Sequence, residues 1–162
     1  MTDNGLDIVI GDANGADRAM QAYLFELAYQ NVTVFCAGSH CRNNVGGWKS
    51  NVIVVDPTLT GRDFFAKKDQ AMAAIADFGF VLWDGKSAGS IRNVFEMLKN
   101  QRKTVLYHSA ESRFYNISIL DEIMAILNKC DPETFEDINK KARLGRAIEQ
   151  LRSQQQPALA LS

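Results

Sequence analysis

The chain has 162 residues, 46% of them hydrophobic and 23% charged, which excludes disorder over most of its length. Lys and Arg total 18 against 19 acidic residues, for a net charge of -1, so the basic excess of a protein that grips duplex phosphates is missing. The longest apolar runs fall far short of the roughly 18 residues that cross a bilayer, and no leader-like segment opens the chain, so a cytoplasmic protein without a membrane partner is expected.

In chain order, Leu6 to Ile10 is a β-branched apolar run and predicts a strand. Ala16, Ala19, Met20, Tyr23, Leu24, Leu27 and Ala28 recur at the spacing of one helical face. Val32 to Cys36 and Val52 to Val55 predict buried strands, separated by a polar loop from Ala37 to Asn51. A second helix fits Arg62 to Asp77 and a strand fits Phe78 to Trp83. Ile91, Val94, Phe95 and Leu98 mark a third helix, Thr104 to Tyr107 a fifth strand, and Ile117 to Leu127 a covering helix. Asp131-Pro132 is a helix start, and Phe135, Ile138, Ala142, Ile148 and Leu151 form the stripe that follows, interrupted by Gly145.

Apolar strands alternating with helices predict an α/β protein: a Rossmann-like parallel sheet of about five strands with helices on both faces, plus a C-terminal helical extension. The organisation expected is one domain over residues 1–130, a helix over 131–153 and a disordered tail over 154–162. Three Cys in a chain without a leader predict reduced thiols rather than a disulfide framework. Cys36, His40 and Cys41 are too few for zinc, so no metal site is expected. No cofactor is implied either.

Ligands of open parallel sheets sit beyond the carboxyl ends of the strands, where helix N-termini point. Two loops lie at such places. Gly11-Asp12-Ala13-Asn14-Gly15-Ala16-Asp17 follows the first strand, and its bland reading is a tight turn with Asp12 or Asn14 capping the helix. Its Asp12 and Asp17 repel phosphate and suit ribose hydroxyls or a base edge. Asp84-Gly85-Lys86-Ser87-Ala88-Gly89-Ser90 follows the fourth strand and combines backbone, hydroxyl and ammonium donors, as an anion cradle requires. It lacks the glycine spacing of a Walker A loop and otherwise reads as a hydrophilic turn. Asp69 supplies a third point, because Phe65, Met72 and Ala76 place it within an apolar stripe.

These segments resemble the SLOG superfamily of Rossmann-like nucleotide-binding domains, which includes DNA-processing protein A and the Lonely-guy phosphoribohydrolases. G-D-A-N-G-A-D at Gly11 to Asp17 is similar to the family's first glycine motif, W-D-G-K-S-A-G-S at Trp83 to Ser90 to its second, and Lys68-Asp69 to a Lys/Arg-Asp pair between them. The resemblance runs from about Asp7 to Tyr107 and includes the loop C-R-N-N-V-G at Cys41 to Gly46. It implies a nucleotide-like ligand held by Gly11, Asp12, Gly15, Ala16, Asp17, Asp69, Gly85, Ser87, Gly89 and Ser90, with Asn14, Lys68 and Asp84 beside them. Related chains begin with an additional strand and helix, which implies a face covered by a second copy, hence a homodimer. The phosphoribohydrolases carry Gly-Thr-x-x-Glu where this chain has Gly89-Ser90-Ile91-Arg92-Asn93, and an amide cannot replace the carboxylate.

The leading expectation is therefore a sensor or carrier of a nucleotide or nucleotide-derived molecule. The alternatives are an N-glycosidase acting on a nucleoside 5′-phosphate, with Asp12, Asp17 or Asp69 as the acid, and a scaffold with a degenerate ligand site. Nucleic-acid binding is disfavoured by the charge.

Overall fold

Alternating apolar runs and helical stripes become six strands and six helices among residues 5–155, the part of the chain that the computed structural model describes. The chain is α/β and divides into two compact units, Met1–Ile75 and Ala76–Ser162.

The first unit contains β1 (Ile8–Ile10), α1 (Ala16–Glu26), β2 (Val32–Ala37), β3 (Lys49–Ile53) and α2 (Gly61–Ile75). Its sheet has the order β1-β2-β3 and is parallel throughout, with Ile8 opposite Val32 and Thr33 opposite Lys49. The central strand β2 buries nearly its whole length, as a strand covered on two faces must. The strand expected at Val52 to Val55 lies earlier, at Lys49 to Ile53, and its polar residues face water on the sheet edge. The α1 face also differs from expectation. Only Gln21 and Leu24 are buried, whereas Tyr23 and Leu27 stand exposed.

The second unit contains β4 (Phe78–Trp83), α3 (Ala88–Lys99), β5 (Lys103–His108), β6 (Arg113–Ile117), α4 (Leu120–Leu127), α5 (Pro132–Ala142) and α6 (Leu144–Gln155). β4 pairs with β5 in parallel, but β6 pairs with β5 antiparallel, which corrects the expectation of parallel strands alone. A tight 3-10 turn at Ser109–Glu111, closed by Ser112 at φ 50°, is too short for a crossover and reverses the chain instead. Two three-stranded sheets thus replace the expected sheet of about five strands.

The helix expected from Ile117 begins at Leu120, since Ile117 still belongs to β6. Asp131 caps α5 by accepting from Thr134 N, with Pro132 at the first position, as the sequence indicated. The single helix expected over 131–153 is two helices, broken at Arg143, which adopts φ 55°. The break turns α6 so that Leu144, Ala147 and Leu151 enter the same core as Ile138 and Ala142. Helix α6 runs to Gln155, so residues 154–155 of the expected tail are helical and the remainder lies outside the described residues.

Candidate functional site

β1 ends at Ile10 and delivers Gly11 and Asp12 directly to the carboxyl edge of the first sheet. Asp12 is 1% exposed. An isolated carboxylate so buried would be costly, and here it is matched by Arg42. Arg42 Nη2 donates to Asp12 Oδ1 at 2.8 Å, while Arg42 Nε and the Arg42 amide donate to Oδ2 at 3.2 and 3.0 Å. Burial would push the Asp12 carboxyl up, but the hydrogen bonds and charge of Arg42, with the charge of Lys68, hold it below its ordinary value. Its bond to Asp12 in turn raises the Arg42 guanidinium, which stacks on the Phe65 ring at 4.0 Å.

The other centre is Lys68 on α2, only 3% exposed. Its ammonium lies 2.6 Å from Asp69 Oδ1, 3.6 Å from Asp17 Oδ2 and 4.0 Å from Asp12 Oδ1. Burial alone would lower this lysine, yet attraction from Asp69, Asp17 and Asp12 leaves it raised. Asp17 is fixed in the first turn of α1, where it accepts from Ala13 N at 2.9 Å. Gly11 lies against this cluster: a Cβ there would meet the Asp17 carboxylate and the Lys68 ammonium and push them aside. The backbone and the ion cluster are therefore fitted to each other.

Polar side chains tie the Cys41–Gly46 loop onto this edge. Gln21 Nε2 donates to the Gly11 and Asn43 carbonyls, and Gln21 Oε1 accepts from Val45 N. Asn43 Nδ2 donates to the Asp12 carbonyl and to Asn14 Oδ1. The expected caps of α1 do not form, for Gly15 occupies the cap position without a side-chain bond. The three thiols expected to be reduced are also corrected. The chain turns back at Gly38, φ 93°, and returns Cys41 to the end of β2, where it joins Cys36 in a disulfide with Cα atoms 5.0 Å apart. Cys130 is the free thiol.

Of the residues anticipated here, Asp12, Asp17, Lys68 and Asp69 converge, with Gly11 beneath them and Asn14 held through Asn43. Gly15 and Ala16 are exposed, and open space surrounds the Gly15 Cα. Arg42, Asn43 and Gln21 were missed. The only available signal was the C-R-N-N-V-G segment, whose partner lies 30 residues away.

In the second unit, Asp84 organises its own loop. Its carboxylate accepts from the Lys86 and Ser87 amides at 2.9 and 2.7 Å and from Ser87 Oγ at 2.8 Å. Burial would raise this carboxyl, but those donors hold it below its ordinary value. Ser90 Oγ donates to the Leu82 carbonyl at 2.9 Å. Gly85, φ 84°, passes over His108, whose ring meets Trp83 edge-on with centroids 4.7 Å apart. Gly89 faces open space. Two loop amides and both serine hydroxyls thus already have partners, which leaves the first-turn amides of α3 as the donors for an anion.

Among the described residues no cluster of His, Cys, Asp and Glu has the make-up of a metal site, and no helix is long and apolar enough to cross a membrane. Comparison of the chain with protein-family models, curated proteins and solved structures finds no match.

Proposed function

We propose that the first unit binds a nucleotide or nucleotide-derived small molecule at the carboxyl edge of its parallel sheet. One observation carries this reading: a buried ammonium neutralised by three carboxylates sits where ligands of such sheets bind, and a hydrophobic core has no need of it. Asp17 and Asp69 are the parts of the cluster that water still reaches, at 25% and 18% side-chain exposure. Each can accept hydrogen bonds from ribose hydroxyls while the Lys68 ammonium holds it in place. The resemblance of Gly11 to Asp17 and of Lys68-Asp69 to nucleotide-binding motifs supports the same reading. In the second unit, taken by itself, the Ala88, Gly89 and Ser90 amides at the start of α3 are the donors left for an anion, rather than the serine hydroxyls.

A sensor or carrier fits better than a hydrolase. Asp12 is buried and held by Arg42, and by the resemblance Asn93 stands where the phosphoribohydrolases have glutamate. Exposed Tyr23 and Phe25 on α1, with Leu27 at its C-terminal cap, supply apolar surface for the expected homodimer, which sedimentation across a concentration series tests.

Calorimetric titration with AMP and ADP-ribose tests the ligand. Wild type should bind at least one of them, and Asp69→Asn should weaken that binding about tenfold, or ~1.4 kcal/mol. Equal affinity in the two proteins, or no binding to wild type, would overturn the proposal.

A further inference from the structure

We infer that Cys36 and Cys41 form a reversible thiol–disulfide couple that sets how firmly Arg42 is clamped on Asp12. The pairing closes a loop of sequence separation 5 between the fully buried end of β2 and the residue directly before Arg42. From Cys41 onward the chain has no regular secondary structure until β3, and side-chain bonds to Asp12, Asn14 and Gln21 hold it in place. The disulfide is its covalent anchor to the sheet. Oxidised, it presents the Arg42 amide and guanidinium to Asp12 together; reduced, the loop keeps only the polar bonds.

Both redox states fit the same interior. Cys36 Sγ lies 3.8 Å from the Val34 carbonyl, so a reduced Cys36 thiol has a buried acceptor already in place. Cys41 is only partly buried, packed beside the small core of the first unit, and is the sulfur that a reductant can reach. A glutathione thiolate attacks Cys41 Sγ; the disulfide bond breaks, and its electron pair leaves on Cys36 Sγ, which takes up a proton. A second glutathione thiolate then attacks the glutathione sulfur of the mixed disulfide and displaces Cys41 Sγ, which is protonated in turn, and the two glutathiones depart joined as their disulfide. Two electrons and two protons have passed to the protein. Cys130 is a free thiol of the second unit and is not needed for this step.

Any effect on ligand affinity rests on the binding site proposed above, but the couple itself is measurable without ligand. Full-length protein is equilibrated in glutathione buffers of graded potential, quenched with an alkylating agent in denaturant, and weighed. Only Cys130 should be labelled at the oxidising end and all three cysteines at the reducing end, with the change reversed on reoxidation. Amide exchange is then followed in both forms. Arg42 and Val45 amides, which donate to Asp12 and Gln21, should exchange about tenfold faster after reduction, whereas Leu106 and Ile123 should not change. Cys41→Ser should reproduce the reduced pattern, and Cys130→Ser should leave the switch intact. Labelling of Cys36 that never changes across the glutathione range, or exchange at Arg42 and Val45 that is equal in both forms, would overturn the inference. Loss of nucleotide binding with an intact redox response would instead count only against the ligand proposal.

Discussion

The two units solve the problem of a stable interior differently. The second gathers sixteen buried apolar residues into one cluster, from Trp83 through Phe95 and Ile123 to Leu151. The first gathers six among the described residues, Ile10, Leu24, Val32, Val34, Cys36 and Trp48; Asp12, Gln21 and Lys68 are buried there, as Glu96, Thr104 and His108 are in the second. Burial of an aliphatic or aromatic side chain contributes roughly 1.5–3 kcal/mol, whereas a buried ion pair contributes little net once its desolvation is counted. The second unit thus draws mainly on apolar burial, whereas the first has a small apolar cluster and buries Asp12 and Lys68 in one ion cluster. Charges kept at such a cost are the reason the first unit is proposed above as the ligand-binding one.

The contrast is open to attack by mutation, with each unit followed separately by residue-resolved exchange. The largest loss should come from Phe95→Ala, which empties the centre of the second core and costs about 3–5 kcal/mol there. Lys68→Ala should come next, at about 3 kcal/mol in the first unit, because three carboxylates lose their shared cation. Should Lys68→Ala be neutral, the cluster would be a surface feature and the contrast would fail. Smaller again is Asp12→Asn, about 2 kcal/mol at neutral pH. Its dependence on pH has a fixed sign. A carboxyl held below its ordinary 3.8 stabilises the fold above that pH and ceases to do so as pH falls through the folded value. Denaturation at a series of pH values should therefore show wild type and Asp12→Asn converging only below about 3.8. Smallest is Asp84→Ala, under about 1 kcal/mol because the loop is exposed, with the second core unaffected.

Much of the second core could be read from the sequence, because Ile91, Val94, Phe95 and Leu98 repeat at helical spacing and all point inward. β1, β2, β4 and β5 were equally visible as short apolar runs. β3 was displaced because Lys49, Ser50 and Asn51 lie on an exposed edge, where pairing rather than burial defines a strand. β6 escaped because Arg-Phe-Tyr-Asn-Ile carries no continuous apolar run, and its partner across the tight turn is what makes it a strand. The break at Arg143 was misplaced onto Gly145 because a left-handed arginine gives no compositional signal. Within the site, Asp12 and Asp17 were legible from their place after a strand and Asp69 from an apolar helix stripe, while Lys68 was indicated only by the resemblance. Arg42 was not, since its role depends on a loop crossing back to Asp12, and Gln21 was hidden in what looked like the outward side of α1.

The ion cluster as a ligand site is tested most directly by a nucleotide titration followed by amide and side-chain magnetic resonance. Addition of AMP or ADP-ribose should shift the signals of Gly11, Asp17, Arg42, Lys68 and Asp69 while leaving Ile123, Ile138 and Leu151 in place. Saturating ligand that moves none of the first group, or moves only residues of the second core, would contradict it.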